Sequence, residues 1–142
     1  MMTPLDRIAE RNADILILIG RIAMAILFVF DLYGKLANLN RWFSARNLQV
    51  LPFPPFWAAG AIVLVVLGLI GLILGYRMRL GALALAVFCL FAAFLSHRFW
   101  EMDAAQYQLQ FSQFFKDIAL AGGYIALFVC GAGLYSLDAR RA

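Results

Sequence analysis

The sequence predicts an all-α integral membrane protein, a bundle of four transmembrane helices with an interfacial amphipathic segment ahead of the fourth. Three observations carry that reading. Of the 142 residues, 65% are hydrophobic and only 14% charged, and a mean hydropathy of +0.85 lies well above that of a soluble domain. The apolar residues gather into four runs, at about 15–32, 56–74, 80–95 and 118–135, each near the ~20 residues that carry a helix through the ~30 Å hydrocarbon core. The runs do not alternate apolar with polar residues, so barrel strands are excluded, and helix is the backbone form that satisfies its own hydrogen bonds in lipid. One domain, 1–142, is expected, with helices at about 15–35, 56–75, 80–97 and 104–135.

The residues before the first run (Asp6, Arg7, Glu10, Arg11, Asp14) alternate in sign and form an interfacial lead-in, with Asn12 or Asp14 placed to cap the first helix. That run keeps Arg21 and leads into Lys35-Leu36-Ala37-Asn38 with no small-x-small cleavage site, so it is expected to remain in the protein. Arg21, Met24, Phe28, Asp31 and Lys35 share one face of it. Asp31 and Lys35 make an i,i+4 pair in the favourable order. Arg21 lies about two turns inside and needs a partner there, Asp138 or the chain at the end of the fourth helix. Arg21 and Asp138 are thus the expected structural charges.

The next connection is polar and aromatic (Asn38, Asn40, Arg41, Trp42, Phe43, Arg46, Asn47, Gln49) and ends in Pro52, Pro54 and Pro55. It suits an amphipathic piece at headgroup level, joined by Trp57, that caps the bundle as a lid. In the second helix Ala61, Leu64, Gly68, Gly71 and Gly75 form a stripe for close helix approach. Tyr76-Arg77-Met78-Arg79 makes a tight basic turn, and in the third helix Ala82, Ala86, Cys89, Ala93 and His97 form a second stripe. Asp103 with Gln106 opens the last helix as a capping box does. Tyr107, Phe111, Phe114 and Phe115 set against Gln106, Gln110, Gln113 and Asp117 make the amphipathic interfacial segment. Lys116, Ala119, Gly123, Ala126, Cys130 and Gly133 are expected to face inward beyond it.

Chemistry concentrates between His97-Arg98-Phe99-Trp100 and Lys116-Asp117, which hold the single histidine at one end of the apolar bundle. Asp31, Lys35, His97, Trp100 and Lys116 are the candidate ligand-binding or polar site. No intrinsic cofactor is expected. One histidine cannot make a bis-His haem site, and Cys89 and Cys130 stand apart from any iron–sulfur, zinc or dithiol pattern. His97 with Glu101 is too small a set for a metal. The glycines lack a phosphate-turn context, and the net charge of +4 is too dispersed for nucleic acid. An organic redox partner remains: a quinone hydrogen-bonded by Lys116 or His97, its ring on Phe99 or Trp100 and its tail between helices, with His97 able to exchange protons. The competing reading makes the same residues a polar clasp of the helix ends. Six Lys and Arg lie at the end with the termini and five at the other, and the short turn and tail favour cytoplasmic termini.

Several fragments in order are similar to the DoxX family of small four-helix bacterial and archaeal membrane proteins. They are Gly20-Arg21-Ile22, Gly34-Lys35-Leu36, Leu51-Pro52, Gly75-Tyr76-Arg77-Met78-Arg79, His97-Arg98-Phe99-Trp100, Phe115-Lys116 leading to Gly122-Gly123, and the run from Gly131 to Asp138. The chain departs from that pattern at Asp31-Leu32-Tyr33 and at Lys116-Asp117, both of which add acid near the basic site. The resemblance implies a multi-pass protein of the bacterial inner membrane, working as the quinone-contacting membrane component of a redox or oxidative-stress system supplied with electrons by partner subunits. Whether the chain is itself an enzyme stays open. The alternative is a non-catalytic accessory or assembly subunit of a larger membrane complex. A solute or lipid carrier fits less well, because the helix interiors lack a continuous polar path.

Overall fold

The computed structural model describes residues 2–45 and 48–141. Six α-helices follow one another: α1 (Pro4–Arg11), α2 (Ala13–Ala37), α3 (Leu39–Phe43), α4 (Pro54–Leu69), α5 (Met78–Ser96) and α6 (Ala104–Cys130). A π-helical turn, Ile70–Leu74, extends α4, and a 3-10 turn, Phe99–Glu101, follows α5. No strand occurs among the described residues. Four stretches are long and apolar enough to cross a membrane: Ala13–Ala37, Pro54–Leu74, Met78–Glu101 and Ala104–Cys130.

Helix α5 is the centre of the bundle, flanked by α4 and α6, while α2 lies against α4 and its π turn. The reason is side-chain size. Gly71 and Gly81 face each other so closely that a Cβ on either would sit 2.9 Å from the other's Cα, and Gly68 is covered by the Leu85 side chain. Small residues therefore let the α4 and α5 backbones meet, as van der Waals packing in lipid requires. Ala82, Ala86, Cys89 and Ala93 are all buried along α5, the stripe read from their spacing. Phe28 fills the centre, edge-on to Phe88 at 5.6 Å and to Tyr124 at 5.9 Å. Tyr124 also donates its hydroxyl to the Met24 carbonyl at 3.3 Å.

Helix ends follow local chemistry. Thr3 and Asp6 form a reciprocal capping box at α1, a short start that charge alternation does not announce. Asn12 stands at the start of α2 without a side-chain cap, and Asp14 instead accepts from the Leu134 N–H at 2.8 Å. Pro54 and Pro55 open α4, where missing N–H groups cost nothing. Asp103 accepts from Gln106 N–H at the start of α6.

The amphipathic segment forms the first turns of α6, one continuous helix from 104, because no proline or glycine interrupts 104–121. Two expectations need correction. That helix stops at Cys130 and not near 135, since Gly131 (φ 78°) and Gly133 (φ 70°) take left-handed conformations and turn the tail back over the bundle. Gly75 is not part of the α4 stripe: it adopts φ 62° in the turn, pressed against Ser136 and the Arg21 guanidinium.

Candidate functional site

Buried charge lies at both ends of the bundle and does different things at each. At the end with the termini, Arg21 is fully buried. Its Nε donates to Leu72 O at 2.9 Å, and Nη1 donates to Ala132 O at 2.6 Å and Tyr135 O at 3.0 Å. The π turn and the end of α6 leave carbonyls without helical partners, and one guanidinium fork collects them. Asp138 is not the direct partner of Arg21. Its two oxygens accept from the N–H groups of Arg77 (2.8 Å) and Met78 (3.0 Å) and so cap α5. The tail is further tied by Leu137 N–H to Leu74 O and Asp138 N–H to Gly75 O, both at 3.0 Å.

The opposite end gathers further buried charged side chains, Lys35 and Asp117. Lys35 is 6% exposed and ion-paired to Asp31 one turn earlier. Its ammonium also sits 4.6 Å from the Trp42 ring centroid and 5.1 Å from that of Phe88. Two ring faces and one carboxylate thus replace the water that a lysine normally keeps. Asp31 Oδ2 is buried with no hydrogen-bond partner among the described residues.

Across the bundle, His97 Nδ1 meets Gln110 Oε1 at 2.8 Å, and its Nε2 faces Asp117 Oδ2 at 3.6 Å. Asp117 is 8% exposed and lies within electrostatic range of His97, Lys116, Asp31 and Lys35. Asp31 and Lys35 on α2 and the facing His97 and Asp117 thus lie in one polar layer at this end of the bundle, within electrostatic range of Asp117, with Lys116 at its exposed edge. Gln110 and Asp117 are seven residues apart, two helical turns, and both look at His97 from the same face of α6.

That face differs from the expected one. The inward residues of α6 are Asp117, Ala121 and Tyr124, whereas Lys116, Ala119, Ala126 and Cys130 are exposed. Small residues proved the poorer guide here, because Phe28 needs the Tyr124 ring across the interface and fixes the helix rotation. Lys116 is exposed and donates to Gln113 at 2.6 Å, at the edge of the layer. Trp100 is 51% exposed, and its ring contacts are Phe99 (5.1 Å) and Phe114 (5.8 Å). They belong to an aromatic cluster, with Tyr107, Phe111 and Phe115, that joins the 3-10 turn to α6. Of the expected site residues, Asp31, Lys35 and His97 come together around Asp117, Lys116 lies at their exposed edge, and Trp100 belongs to the separate aromatic cluster. Asp117, Gln110, Trp42 and Phe88 complete the arrangement. The 3,4 spacing of Phe114, Asp117, Ala121 and Tyr124 was the available signal for the first of these.

Beside this layer α4 and α5 diverge around an apolar groove of about 530 Å³. Trp42, Phe56, Trp57, Phe88 and Phe91 supply aromatic walls, and Gly60, Leu64 and Ser96 also line it. Trp42 is held in place by its indole N–H donating to Ala58 O at 3.0 Å, and Trp57 by the same bond to Pro52 O at 2.7 Å. The connection thus folds over the α4 start as the lid reading expects, though Arg46 and Asn47 lie outside the described residues. Trp42 and Phe88 are shared: they form walls of the groove and also touch the Lys35 ammonium. The groove is thereby separated from a buried cation by two aromatic rings.

The sequence profile of the DoxX family matches residues 16–98, from the start of α2 to just past His97. Over 126 residues the chain is 28% identical to inner membrane protein YphA of Escherichia coli (strain K12), covering 89% of this chain and 90% of that protein. Inner membrane protein YqjF of the same organism is 29% identical over 129 residues, 91% of this chain and 94% of the relative. No solved structure matches the chain. Four spanning helices, a family match that runs over more than half the length and two inner-membrane relatives aligned almost end to end agree, and the chain belongs to the DoxX family of membrane proteins.

Proposed function

We propose that the chain is the quinone-contacting membrane component of a redox or oxidative-stress system, and that the quinone lies in the groove between α4 and α5. The observation that supports this is the sharing of Trp42 and Phe88 between the groove and Lys35. A volume of about 530 Å³ falls within the usual range of small-molecule sites. The residues fit a flat ring bearing an apolar tail: aromatic walls take the ring, and the Val63 and Leu64 side takes isoprenoid carbons running toward the bilayer. The ring therefore moves to Trp42 and Phe88, away from the Phe99 and Trp100 cluster. When bound, the quinone supplies reversible electron and proton uptake, with electrons delivered by a partner protein. The chain's own residues orient and polarise. Lys35 places positive potential behind the ring wall, and Ser96 brings a hydroxyl to the groove lining. His97, with Nδ1 tied to Gln110, presents Nε2 for proton exchange with Asp117. In this reading the protein sits in the inner membrane with both termini on the cytoplasmic side, which the basic Arg77/Arg79 turn and Arg140/Arg141 tail support.

The test is quinone retention in nanodiscs. Gly60 lines the groove and a Cβ on it meets nothing within 4 Å, so Gly60→Phe is expected to fill part of the groove, with an unchanged melting temperature as the check that the fold is kept. Stoichiometric ubiquinone or menaquinone in the wild type, lost in Gly60→Phe and kept in Lys116→Ala, is the expected result. Quinone at no more than its bulk-lipid ratio in the wild type, or unchanged retention in Gly60→Phe, overturns the proposal.

A further inference from the structure

The other end of the bundle carries a second cleft, of about 660 Å³, lined by Arg77, Arg79, Leu80, Cys130, Gly131 and Asp138 among others. It opens where α5 begins and α6 ends, at the ends of two stretches long and apolar enough to cross a membrane. The charges lining it are not equivalent. Both Asp138 oxygens are engaged by the first N–H groups of α5. Arg77 and Arg141 engage the Tyr76 phenol, with the Arg141 guanidinium 4.8 Å over the ring. Arg79 is exposed and, among the described residues, has no hydrogen bond, ion pair or ring partner. It also sits in the first turn of α5, where a cation adds to the positive end of the helix dipole in place of offsetting it. The Arg79 guanidinium lies over Gly131, within van der Waals reach of where a Cβ there would stand, 3.7 Å from Nη2, so it reaches across the cleft from α5 to the end of α6.

We propose that this cleft binds the headgroup of an anionic phospholipid, with Arg79 as its principal phosphate ligand. A planar guanidinium with five donors and no acceptor matches phosphate oxygens in pairs. The occupant is a lipid and not free phosphate because exposed apolar side chains flank the cleft on the membrane side: Leu80 and Leu83 on α5, Phe128 and Val129 on α6. An amphiphile covers both surfaces at once. Basic pockets between spanning helices at the membrane edge recognise anionic headgroups in this way.

The inference is independent of the quinone reading, and its experiment contains no quinone. The full-length protein is reconstituted in nanodiscs of phosphatidylcholine with a minor fraction of phosphatidylglycerol, then released for native mass spectrometry. The wild type is expected to carry phosphatidylglycerol above its share of the mixture, and Arg79→Gln to lower that enrichment roughly fivefold, the worth of one interfacial cation. Because Arg79 is exposed and has no partner among the described residues, the variant is expected to fold as the wild type does, with an unchanged melting temperature as the check. Arg98→Gln, at the opposite end and paired to Glu101 at 3.0 Å, leaves the enrichment unchanged. Equal enrichment in Arg79→Gln, equal retention of the two lipids, or displacement of phosphatidylglycerol by millimolar inorganic phosphate would each overturn the proposal.

Discussion

Replacing Arg21 by methionine is the most direct test of how the bundle is closed. The side chain is fully buried and donates to Leu72, Ala132 and Tyr135 carbonyls between 2.6 and 3.0 Å, with a longer contact to Ile73 O at 3.4 Å. Three charge-assisted bonds at about 1.5–3 kcal/mol each give a large gross attraction, most of which is offset by taking the guanidinium out of water. Arg21→Met conserves much of the volume but removes every donor. Three carbonyls, from the π turn and from the segment after α6, then lose their partners in apolar surroundings. The cost of removing a buried charged partner is about 3–5 kcal/mol, enough to exceed half the stability of many domains. Arg21→Lys keeps the charge but presents an ammonium in place of a fork, so it is expected to fall between the two. The measurements are thermal unfolding in nanodiscs and amide exchange along 131–141. The tail should lose protection first, because Arg21 bonds to its carbonyls from inside the bundle, and removing it leaves the tail to its Leu134–Asp14, Leu137–Leu74, Asp138–Gly75 and Asp138 side-chain ties. If Arg21→Met unfolds at the wild-type temperature with the tail still protected, the carbonyls are satisfied in another way and the reasoning fails.

Two more expectations follow from local geometry. Gly71→Ala places a Cβ 2.9 Å from the Gly81 backbone, so α4 and α5 must separate, at about 1–3 kcal/mol, and the variant should melt earlier than Gly60→Ala, whose Cβ meets open space; equal melting would show that this contact is not tight. The backbone and hydroxyl hydrogen bonds of Thr3 hold the Asp6 carboxyl below its ordinary range. A depressed carboxyl stabilises the start of α1 above its unfolded value and loses that contribution as pH falls through the lowered folded one. Amide exchange at the start of α1 should therefore rise only in that acid window, and the dependence should vanish in Asp6→Asn.

Much of this protein is legible in its sequence, for a physical reason. A bilayer imposes length and apolarity on anything that crosses it, so composition and run length were enough to yield four helices, their order and their approximate ends. The shared face of Arg21, Phe28, Asp31 and Lys35 was equally plain, because helical period alone places them together and lipid excludes them from the outside. The α5 stripe of Ala82, Ala86, Cys89 and Ala93 followed from the same geometry, and all four are buried. What the chain could not announce is the rotation of each helix about its own axis. In α6 two faces compete, small residues against Asp117, Ala121 and Tyr124, and propensity does not choose between them. The choice is made by Phe28, more than ninety residues away, whose ring needs Tyr124. With that rotation Asp117 turns inward to face His97 and Lys116 turns outward to the exposed edge. The partner of Arg21 was undecided for a similar reason, since backbone carbonyls freed by a π turn and by two left-handed glycines leave no trace in side-chain pattern. The groove behind Trp42 and Phe88 likewise exists only because the α2–α4 connection folds over the point where α4 and α5 diverge, a meeting of segments that tertiary packing alone decides.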